Sequence, residues 1–394
     1  MKIFKTYYEL TFTGFVFAGV LCFVLIAAVN SQTNVLFWTL GIILGAIIVS
    51  GVMGNLLLRR LEVARMVGDH AVVGQPAEVH YRLLNNKKIW PSCAIRVTEA
   101  RFSGKLRTVP EGYCLHLGPR HNTLVLTHLI SETRGELELR ELRVCCSFPF
   151  GFVNRAIHYL SPRMIIVYPR IGFLNQQLLA RTRTFSTTGT ITSQARGGAD
   201  EFFGLREYQP GDSIRSIHWR SSARTGRMVV REMTSDTPPT MIVVLDIRPW
   251  ADVSDGRMQS ERAIELAASL ICHGIQDNFA VGLLIAGSPV AAPRAISSGR
   301  THRDQLLEAL ALINIEKIDS TQHGIAQNPP EALRNAAEYV IAGLSSKCNS
   351  LDLVPPGSTY TLLPMDDPHS DQWLHFPEKP PVEAPPSQLA ESLA

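Results

Sequence analysis

Residues 199–232 read "ADEFFGLREYQPGDSIRSIHWRSSARTGRMVVRE", the part of the chain where charged and turn-forming residues are most concentrated. Pro210 and Gly211 are typical of the two central positions of a type II turn. Asp212 follows them and suits the N-cap of a short helix, which we expect to end near Gly226. The sequence then predicts a strand, because "RMVVREM" alternates between polar and apolar residues.

Arginines dominate the charge of this stretch, and no acidic residue occurs between Ser213 and Arg227. Arg220 and Arg224 are four positions apart on the predicted helix and would share a face. Arg227 and Arg231 have the same spacing on the predicted strand and would lie on one side of it. We interpret these four arginines as candidates for binding a protein partner. Three acids nearby would instead pair with arginines internally: Glu201, Glu207 and Asp212.

The apolar side chains of the stretch argue against a wholly exposed charged segment. We expect Trp219 in particular to be buried and, with Asp212, to hold the turn and the helix in place. His218 lies between Ile217 and Trp219, a setting typical of a packed histidine. A hydrolase would need convergent carboxylates with a metal, or a nucleophile beside a base, and the sequence reveals neither. The other side chains expected to be buried are Phe202, Phe203, Leu205, Tyr208, Ile214 and Ile217.

Two long uncharged segments precede this region, since no Asp, Glu, Lys or Arg occurs from Leu10 to Leu58. Residues 11–29 and 35–58 are each close to or above the roughly 20 apolar residues that cross a bilayer as a helix. A cleaved signal peptide followed by one span would have a shorter apolar core and a cleavage site of small residues. The sequence therefore predicts a hairpin of two transmembrane helices within residues 1–60.

Basic residues flank the hairpin at both ends, with Lys2 and Lys5 before it and Arg59 and Arg60 after it. Because such residues stay on the cytoplasmic side, we expect a multi-pass protein of the bacterial inner membrane with both termini in the cytoplasm. Small residues four apart in the second span are compatible with homo-oligomerisation through the membrane helices. The seven cysteines include no C-x-x-C pair and predict neither a disulfide framework nor a zinc site.

The sequence after the hairpin divides into regions with different patterns of polar and apolar residues. Residues 61–169 contain short alternating segments separated by polar turns, which predicts a β-rich, immunoglobulin-like sandwich. Residues 170–198 are polar and lack a steady period, so we expect a linker before the segment at 199–236. From 240 to 365, apolar β-branched runs alternate with amphipathic helical patterns, which predicts an α/β domain with a mostly parallel sheet. The remaining residues, 366–394, are rich in proline and predict a disordered tail.

The quoted stretch resembles the signature of the family called DUF58, a domain of unknown function in bacterial membrane-anchored proteins. The signature runs approximately Glu-Phe, Leu-Arg-x-Tyr, Gly-Asp, Arg-x-Ile-x-Trp and Ala-Arg, and the chain supplies these parts in order. Ser147 and Phe148 precede Pro149, where the family usually has an Asp before Pro-Phe-Gly. The resemblance extends from the membrane hairpin to about residue 365. The residues that we assign to the structural signature are Glu201, Arg206, Tyr208, Gly211, Asp212, Arg215 and Trp219.

The resemblance implies a von Willebrand A-like domain at 240–365. It also implies a partner, because such proteins are typically encoded beside a MoxR-type AAA+ ATPase. In a von Willebrand A domain the first strand ends in Asp-x-Ser-x-Ser and supplies oxygen ligands to Mg²⁺. Asp246 is present here, but Arg248 and Trp250 replace the two serines. We therefore expect a degenerate site with no metal and no other cofactor, in which Asp246 pairs with Arg248 or caps the following loop.

The combined interpretation is a membrane-anchored, non-enzymatic adaptor or chaperone-like factor that works with a MoxR-type ATPase. The alternative is a hydrolase, acting on phosphate esters or peptides through an active site that the sequence does not reveal. A nucleic-acid partner is not expected, because the net charge is only +3 and acids are interleaved with the arginines.

The charge pattern predicts on which side of the membrane the C-terminus lies. A reporter that is active only in the periplasm, fused after Ala394, should give no signal, and a reporter that is active in the cytoplasm should work at the same position. Strong periplasmic activity at that position would overturn the assignment.

Overall fold

The structure is a computed structural model of the chain. It describes residues 2–175, 201–209, 214–234, 239–248, 256–286, 294–317, 338–342, 354, 360–365 and 372–376. These residues separate into two compact units. One is formed mainly by Met1–Ile171, and the other by Gly172–Leu306 with Asn314–His375.

The first unit begins with a strand and two long apolar helices. In chain order these are β1 (Lys2–Leu10), α1 (Phe12–Ser31) and α2 (Asn34–Leu58). Thr11 caps α1, because its hydroxyl accepts a hydrogen bond from the Gly14 amide at 3.0 Å. Both helices are long and apolar enough to cross a membrane. The prediction of two apolar helices near the N-terminus is therefore confirmed.

Two sheets build the rest of the first unit. The strands are β2 (Leu61–Val67), β3 (His70–Val72), β4 (Ala77–Asn85), β5 (Ser92–Phe102), β6 (Leu106–Thr108), β7 (Glu111–Leu117), β8 (Asn122–Ser131), β9 (Gly135–Cys146) and β10 (Val153–Tyr168). One sheet has the order β1-β10-β9-β5-β7, with β3 also on β10, and the other has the order β2-β4-β8-β6. Side chains from both sheets form one hydrophobic core, to which Val63, Tyr81, Val97 and Leu142 belong.

β1 corrects the assignment of residues 1–60 to a helical hairpin alone. It pairs antiparallel with β10, with Tyr8 opposite Arg155 and Leu10 opposite Val153. Isoleucine, phenylalanine, threonine and tyrosine are frequent in "KIFKTYYEL", and these residues favour strands. The strand that precedes α1 therefore joins the same sheet as strands that follow α2.

A buried ion pair connects the two sheets. The Arg65 guanidinium on β2 lies 2.5 Å from the Glu99 carboxylate on β5, and the two side chains are 1% and 0% exposed. The Tyr81 hydroxyl on β4 donates to the same carboxylate at 2.9 Å, and Arg65 also donates to the carbonyl of Leu139 on β9 at 3.0 Å. Burial raises the pKa of the Glu99 carboxyl, while Arg65 and Tyr81 act in the opposite direction.

The chain after residue 171 contains a five-stranded sheet and shorter elements. The elements are β11 (Phe173–Leu174), β12 (Glu201–Glu207), α3 (Trp219–Thr225), β13 (Val229–Thr234), β14 (Thr240–Asp246), α4 (Gly256–Gln276), β15 (Ala280–Ala286), β16 (Arg294–Ser297), α5 (Arg300–Ala311), β17 (Glu338–Ala342), β18 (Tyr360–Leu363) and β19 (Leu374–His375). The sheet has the order β16-β15-β14-β17-β18. α4 packs on β14 and β15 and buries Ile264, Ala267 and Ile271.

Most strand pairings in the described residues are antiparallel. The parallel pairings are those of β14 with β15 and β17, of β17 with β18, and of β3 with β10. β16 joins the five-stranded sheet antiparallel to β15. The described residues therefore form a sheet-rich protein with both antiparallel and parallel strand pairing. This description is more general than the mostly parallel α/β domain expected for 240–365.

Short strands occur within the predicted linker and within the predicted disordered tail. β11 pairs antiparallel with β19, with Phe173 opposite His375. Gly172 approaches Leu374 so closely that an added Cβ would lie 2.6 Å from the Leu374 side chain. The tail prediction is therefore wrong for these residues, because the apolar side chain of Leu374 has a packing partner. Residues 176–198, 366–371 and 377–394 lie outside the described residues.

The buried ion pair predicts an asymmetric response to mutation. Glu99→Ala should destabilise the protein by roughly 3–5 kcal/mol, because it leaves the Arg65 charge buried without its carboxylate. The double variant Arg65→Met with Glu99→Met should recover most of that loss, because it removes both charges and restores apolar packing. Melting of the detergent-solubilised full chain measures both effects. A double variant as unstable as Glu99→Ala would contradict this account of the pair.

Candidate partner-binding surface at residues 201–234

The 201–234 segment folds as a hairpin that carries a short helix. β12 and β13 pair antiparallel, with Glu207 opposite Val229. Between the two strands, Ile217 forms an isolated antiparallel bridge with Val230. This bridge brings the chain back onto β13 just before α3 begins.

α3 is shorter than the helix predicted for this stretch. A separate 3-10 turn at Ile214–Ser216 precedes it, and the bridge at Ile217 interrupts the helical path. His218 is the N-cap, because its Nδ1 accepts a hydrogen bond from the Ser221 amide at 3.2 Å. The helix ends at Gly226, which has φ +70, as the sequence predicts. The predicted turn and N-cap, Pro210, Gly211 and Asp212, lie outside the described residues.

The inner side of the segment is apolar, and Ser222 links the helix to the strand beside it. Ile217, Val229 and Val230 are buried. The Ser222 hydroxyl accepts a hydrogen bond from the Val229 amide at 2.9 Å and donates to the His218 carbonyl at 3.1 Å. Ser222 therefore holds α3 against the start of β13.

His218 and Ser221 are close enough to raise the question of catalysis. The Ser221 hydroxyl lies 2.8 Å from Nδ1 of His218. The same nitrogen accepts the Ser221 amide hydrogen, so its lone pair is directed into the first turn of α3. Among the described residues, no carboxylate contacts the His218 ring to orient it as in a catalytic triad. The contact is explained by helix capping.

The outer side of the segment exposes large apolar side chains, which corrects an expectation. Trp219 is 63% exposed and Ile214 is 68% exposed. Met228 and Leu205 are also exposed, and Tyr208 is half-buried. The burial predicted for Trp219 is therefore wrong, because Ile217 takes the inward position and Trp219 begins α3 on the opposite side. The sequence does not distinguish these two orientations, since either residue suits an apolar core.

Three arginines accompany this apolar surface. Arg220 and Arg224 lie on α3, Arg215 lies in the 3-10 turn, and all three are exposed. No ion pair of these three side chains is found in the described part of the chain. We use the name arginine–tryptophan surface for Ile214, Arg215, Trp219, Arg220 and Arg224.

The structure describes the other two candidate arginines to different extents. Arg227 precedes β13 and pairs with Glu207 at 2.7 Å, which confirms that an acid of the stretch pairs internally. Arg227 lies two residues before the first residue of β13, Val229, so the observed strand is shorter than the predicted one. Arg231 lies within β13 opposite Leu205, and its side chain is not among those described. Among the remaining signature residues, Arg206 donates to the Glu207 carbonyl at 3.3 Å, and only the backbone of Glu201 is described.

Asp246 is the residue at which the sequence predicts a degenerate metal site. It is the last residue of β14, the strand flanked by β15 and β17, and it is buried. In open α/β sheets, ligands bind beyond the carboxyl ends of the strands at such a position. Here the Arg248 guanidinium donates to both carboxylate oxygens, at 2.9 and 2.8 Å. The predicted Asp246–Arg248 pair is confirmed, and it places a positive charge where a cation would have to bind.

Residues 204–347 match the family DUF58. The family is described as "Protein of unknown function DUF58", and the match begins inside β12. The resemblance is thereby confirmed for this part of the chain. The match does not include the helical hairpin or the two sheets of the first unit, which the resemblance was expected to cover.

Uncharacterised bacterial proteins align with parts of the chain. "Uncharacterized protein YeaD" of Bacillus subtilis is 20% identical over 211 residues, which is 53% of this chain and 51% of the relative. "Uncharacterized protein Rv1480" of Mycobacterium tuberculosis is 28% identical over 107 residues, which is 27% of this chain and 34% of the relative. The chain thus spans about half of the first relative and about a third of the second.

A solved structure also aligns, with a low score. The crystal structure of Spo0M, a sporulation control protein from Bacillus subtilis, is 10% identical and covers 39% of this chain and 59% of that chain, with a TM-score of 0.18. A score this low carries no argument about the fold.

The orientation of α3 predicts that substitutions of Trp219 and Ile217 reduce stability to different extents. Trp219→Ala should change the free energy of unfolding by no more than about 1 kcal/mol, because the ring is mostly exposed. Ile217→Ala should cost roughly 2–5 kcal/mol, because it leaves a cavity beside β13. Thermal melts of the two full-length variants provide the comparison. If Trp219→Ala proves the more damaging change, the described orientation of the helix is wrong.

Proposed function

We propose that this chain is a membrane-anchored, non-enzymatic adaptor or chaperone-like factor that binds a protein partner through the arginine–tryptophan surface. The observation that carries the proposal is the exposure of Trp219 and Ile214 beside Arg220 and Arg224. Tryptophan and arginine are enriched among the residues that contribute most to protein–protein binding. An exposed apolar cluster with a basic border favours a partner surface that is partly apolar and acidic.

A MoxR-type AAA+ ATPase is the proposed partner. This part of the proposal rests on the DUF58 likeness, since proteins of that kind are typically encoded beside such an ATPase. The order of the five-stranded sheet and its parallel pairs support a von Willebrand A-like domain in the same region. The Arg248 guanidinium on Asp246 supports a version of that domain that functions without a metal.

Membrane anchoring is supported by the two apolar helices and by β1. The helices are long enough to span, and their side chains are largely exposed in the described chain. β1 precedes α1 but pairs with β10, which follows α2. If the hairpin spans a bilayer, this pairing requires both of its ends to be on the same side. The basic residues at the two ends favour the cytoplasmic side.

The partner proposal is tested by binding of the purified ATPase to the full-length chain in nanodiscs. Arg220→Glu with Arg224→Glu should weaken binding by at least about tenfold, because like charges would then face each other. Trp219→Ala should weaken it by a similar factor through the loss of an apolar contact. Melting should remain close to that of the unmodified chain for both variants.

The matched control is Arg294→Glu with Arg300→Glu, which changes the net charge by the same amount at exposed positions outside the surface. This control should bind as the unmodified chain does. Equal losses in the control and in the surface variants would indicate a non-specific charge effect. Unchanged binding by the surface variants would place the partner contact elsewhere.

A further inference from the structure

Two loops of the first unit expose apolar side chains at their tips. Between β4 and β5, Ile89 is 80% exposed and Trp90 is 52% exposed. Between β9 and β10, Phe148 and Phe150 are 41% and 50% exposed. We call these the Ile89–Trp90 tip and the Phe148–Phe150 tip. Exposed aromatic and branched side chains at adjacent loops mark a surface that binds something apolar.

The Ile89–Trp90 tip follows residues that are fixed to the end of α2. The Lys87 ammonium donates to the carbonyls of Leu56 and Leu57, at 3.1 and 2.6 Å. The Asn86 amide donates to the carbonyl of Arg60 at 3.1 Å. The tip is therefore held within a few residues of the point where α2 ends.

The Phe148–Phe150 tip is fixed to the beginning of α1. The Thr11 hydroxyl donates to the Gly151 carbonyl at 2.5 Å. The Phe152 ring stacks on Phe17 with the ring centroids 4.1 Å apart, and Phe150 stacks on Phe152 in turn at 5.5 Å. The aromatic loop thus contacts the first turns of α1 and not only its end.

Helix lengths place these contacts at the boundary of a bilayer. Phe17 is five residues beyond the start of α1, which corresponds to about 7 Å along the axis at 1.5 Å per residue. α2 has 25 residues. Its length is about 37 Å, so roughly 7 Å remains outside a hydrocarbon core of about 30 Å. The last turn or two of α2, where Lys87 binds, then lies among the lipid headgroups.

Basic side chains surround the same boundary. Arg59, Arg60 and Lys88 are exposed. The Arg155 guanidinium donates to Asn55 near the end of α2 and also lies over the Tyr8 ring. Cations at this depth attract anionic headgroups, and aromatic rings favour the interfacial layer.

We propose that the two tips insert into the interfacial layer of the lipid bilayer and that the basic side chains beside them bind anionic lipid headgroups. The first unit would then lie directly on the membrane surface. This inference rests on the membrane anchoring proposed above and is independent of the arginine–tryptophan surface. Continuity favours lipid as the occupant, because residues next to both tips contact the two apolar helices.

The test uses full-length variants that each contain a single tryptophan, in vesicles of phosphatidylglycerol and phosphatidylethanolamine. Part of the lipid is phosphatidylcholine brominated near the carbonyl end of its acyl chains, which quenches tryptophan at the interface. The variant that retains Trp90 alone, with the other tryptophans changed to Phe, should lose roughly half of its emission in these vesicles. Aqueous iodide should quench it weakly. Phe148→Trp in a background without tryptophan should behave in the same way.

Two further single-tryptophan variants separate the inference from the proposed anchoring. The variant that retains Trp38 reports on α2 itself and should be quenched by lipid whenever the hairpin is embedded. Met164→Trp provides an exposed control on the same strand as Val153 but eleven residues further on, about 36 Å along β10. It should be quenched by iodide and not by lipid.

Quenching of Trp38 without quenching of Trp90 would overturn the inference and leave the anchoring intact. Lack of lipid quenching at both positions would overturn the inference and the anchoring together. Protection of Trp90 from both lipid and iodide would show that protein covers the tip, through a second copy or another partner, and would also overturn the inference.

Discussion

The contact between the Lys87 ammonium and the end of α2 determines how the apolar hairpin joins the folded domain. A helix leaves its last carbonyls without backbone partners, and its C-terminus carries a partial negative charge. Lys87 donates to two of these carbonyls and to the Ser92 hydroxyl, which itself donates to Leu57 at 2.7 Å. Burial lowers the pKa of Lys87, and the surrounding oxygens are the groups that make a buried ammonium tolerable.

The loop that carries Lys87 is itself fixed by Asn85. The Asn85 carboxamide donates to the carbonyls of Leu117 and Gly118, both at 3.1 Å, and accepts from the Lys87 amide at 3.1 Å. The C-terminal end of α2 is thereby connected through Asn85 to β7 and, through Ser92, to the start of β5. The end of α2 is thus held by hydrogen bonds from Lys87, in the loop after β4, and from Ser92, at the start of β5.

The sequence was informative where a pattern is local. The absence of charge from Leu10 to Leu58 predicts both apolar helices, and the Asp246–Arg248 pair follows from the replacement of one serine by arginine. Features that depend on distant partners were missed. β1 and β19 pair with residues far away in the chain, and no local periodicity reveals that. The exposure of Trp219 was missed for a related reason, because the bridge between Ile217 and Val230 decides which apolar residue turns inward.

The two sides of the 201–234 hairpin have different physical characters. The inner side is held by apolar contacts and by the hydrogen bonds of Ser222. On the outer side, the exposed pair of Arg227 with Glu207 contributes little to stability, as is usual for surface ion pairs. Among the described side chains, Arg220 and Arg224 are exposed and form no ion pair, so they are available for interactions that do not compete with folding.

The pairing of β1 with β10 has a consequence for biosynthesis. β1 is translated before both helices and most of the two sheets, whereas its partner strand is translated after them, and Thr11 and Gly151 are 140 positions apart where they meet. If the hairpin inserts into a membrane with the proposed topology, β1 must remain unpaired, on the side of the membrane where the ribosome is, until β10 has been made. A chain that translocated its N-terminus would lose the edge strand of its six-stranded sheet and could not recover it without reversing its orientation. With that topology, only chains with both ends of the hairpin on the same side of the membrane could complete this sheet.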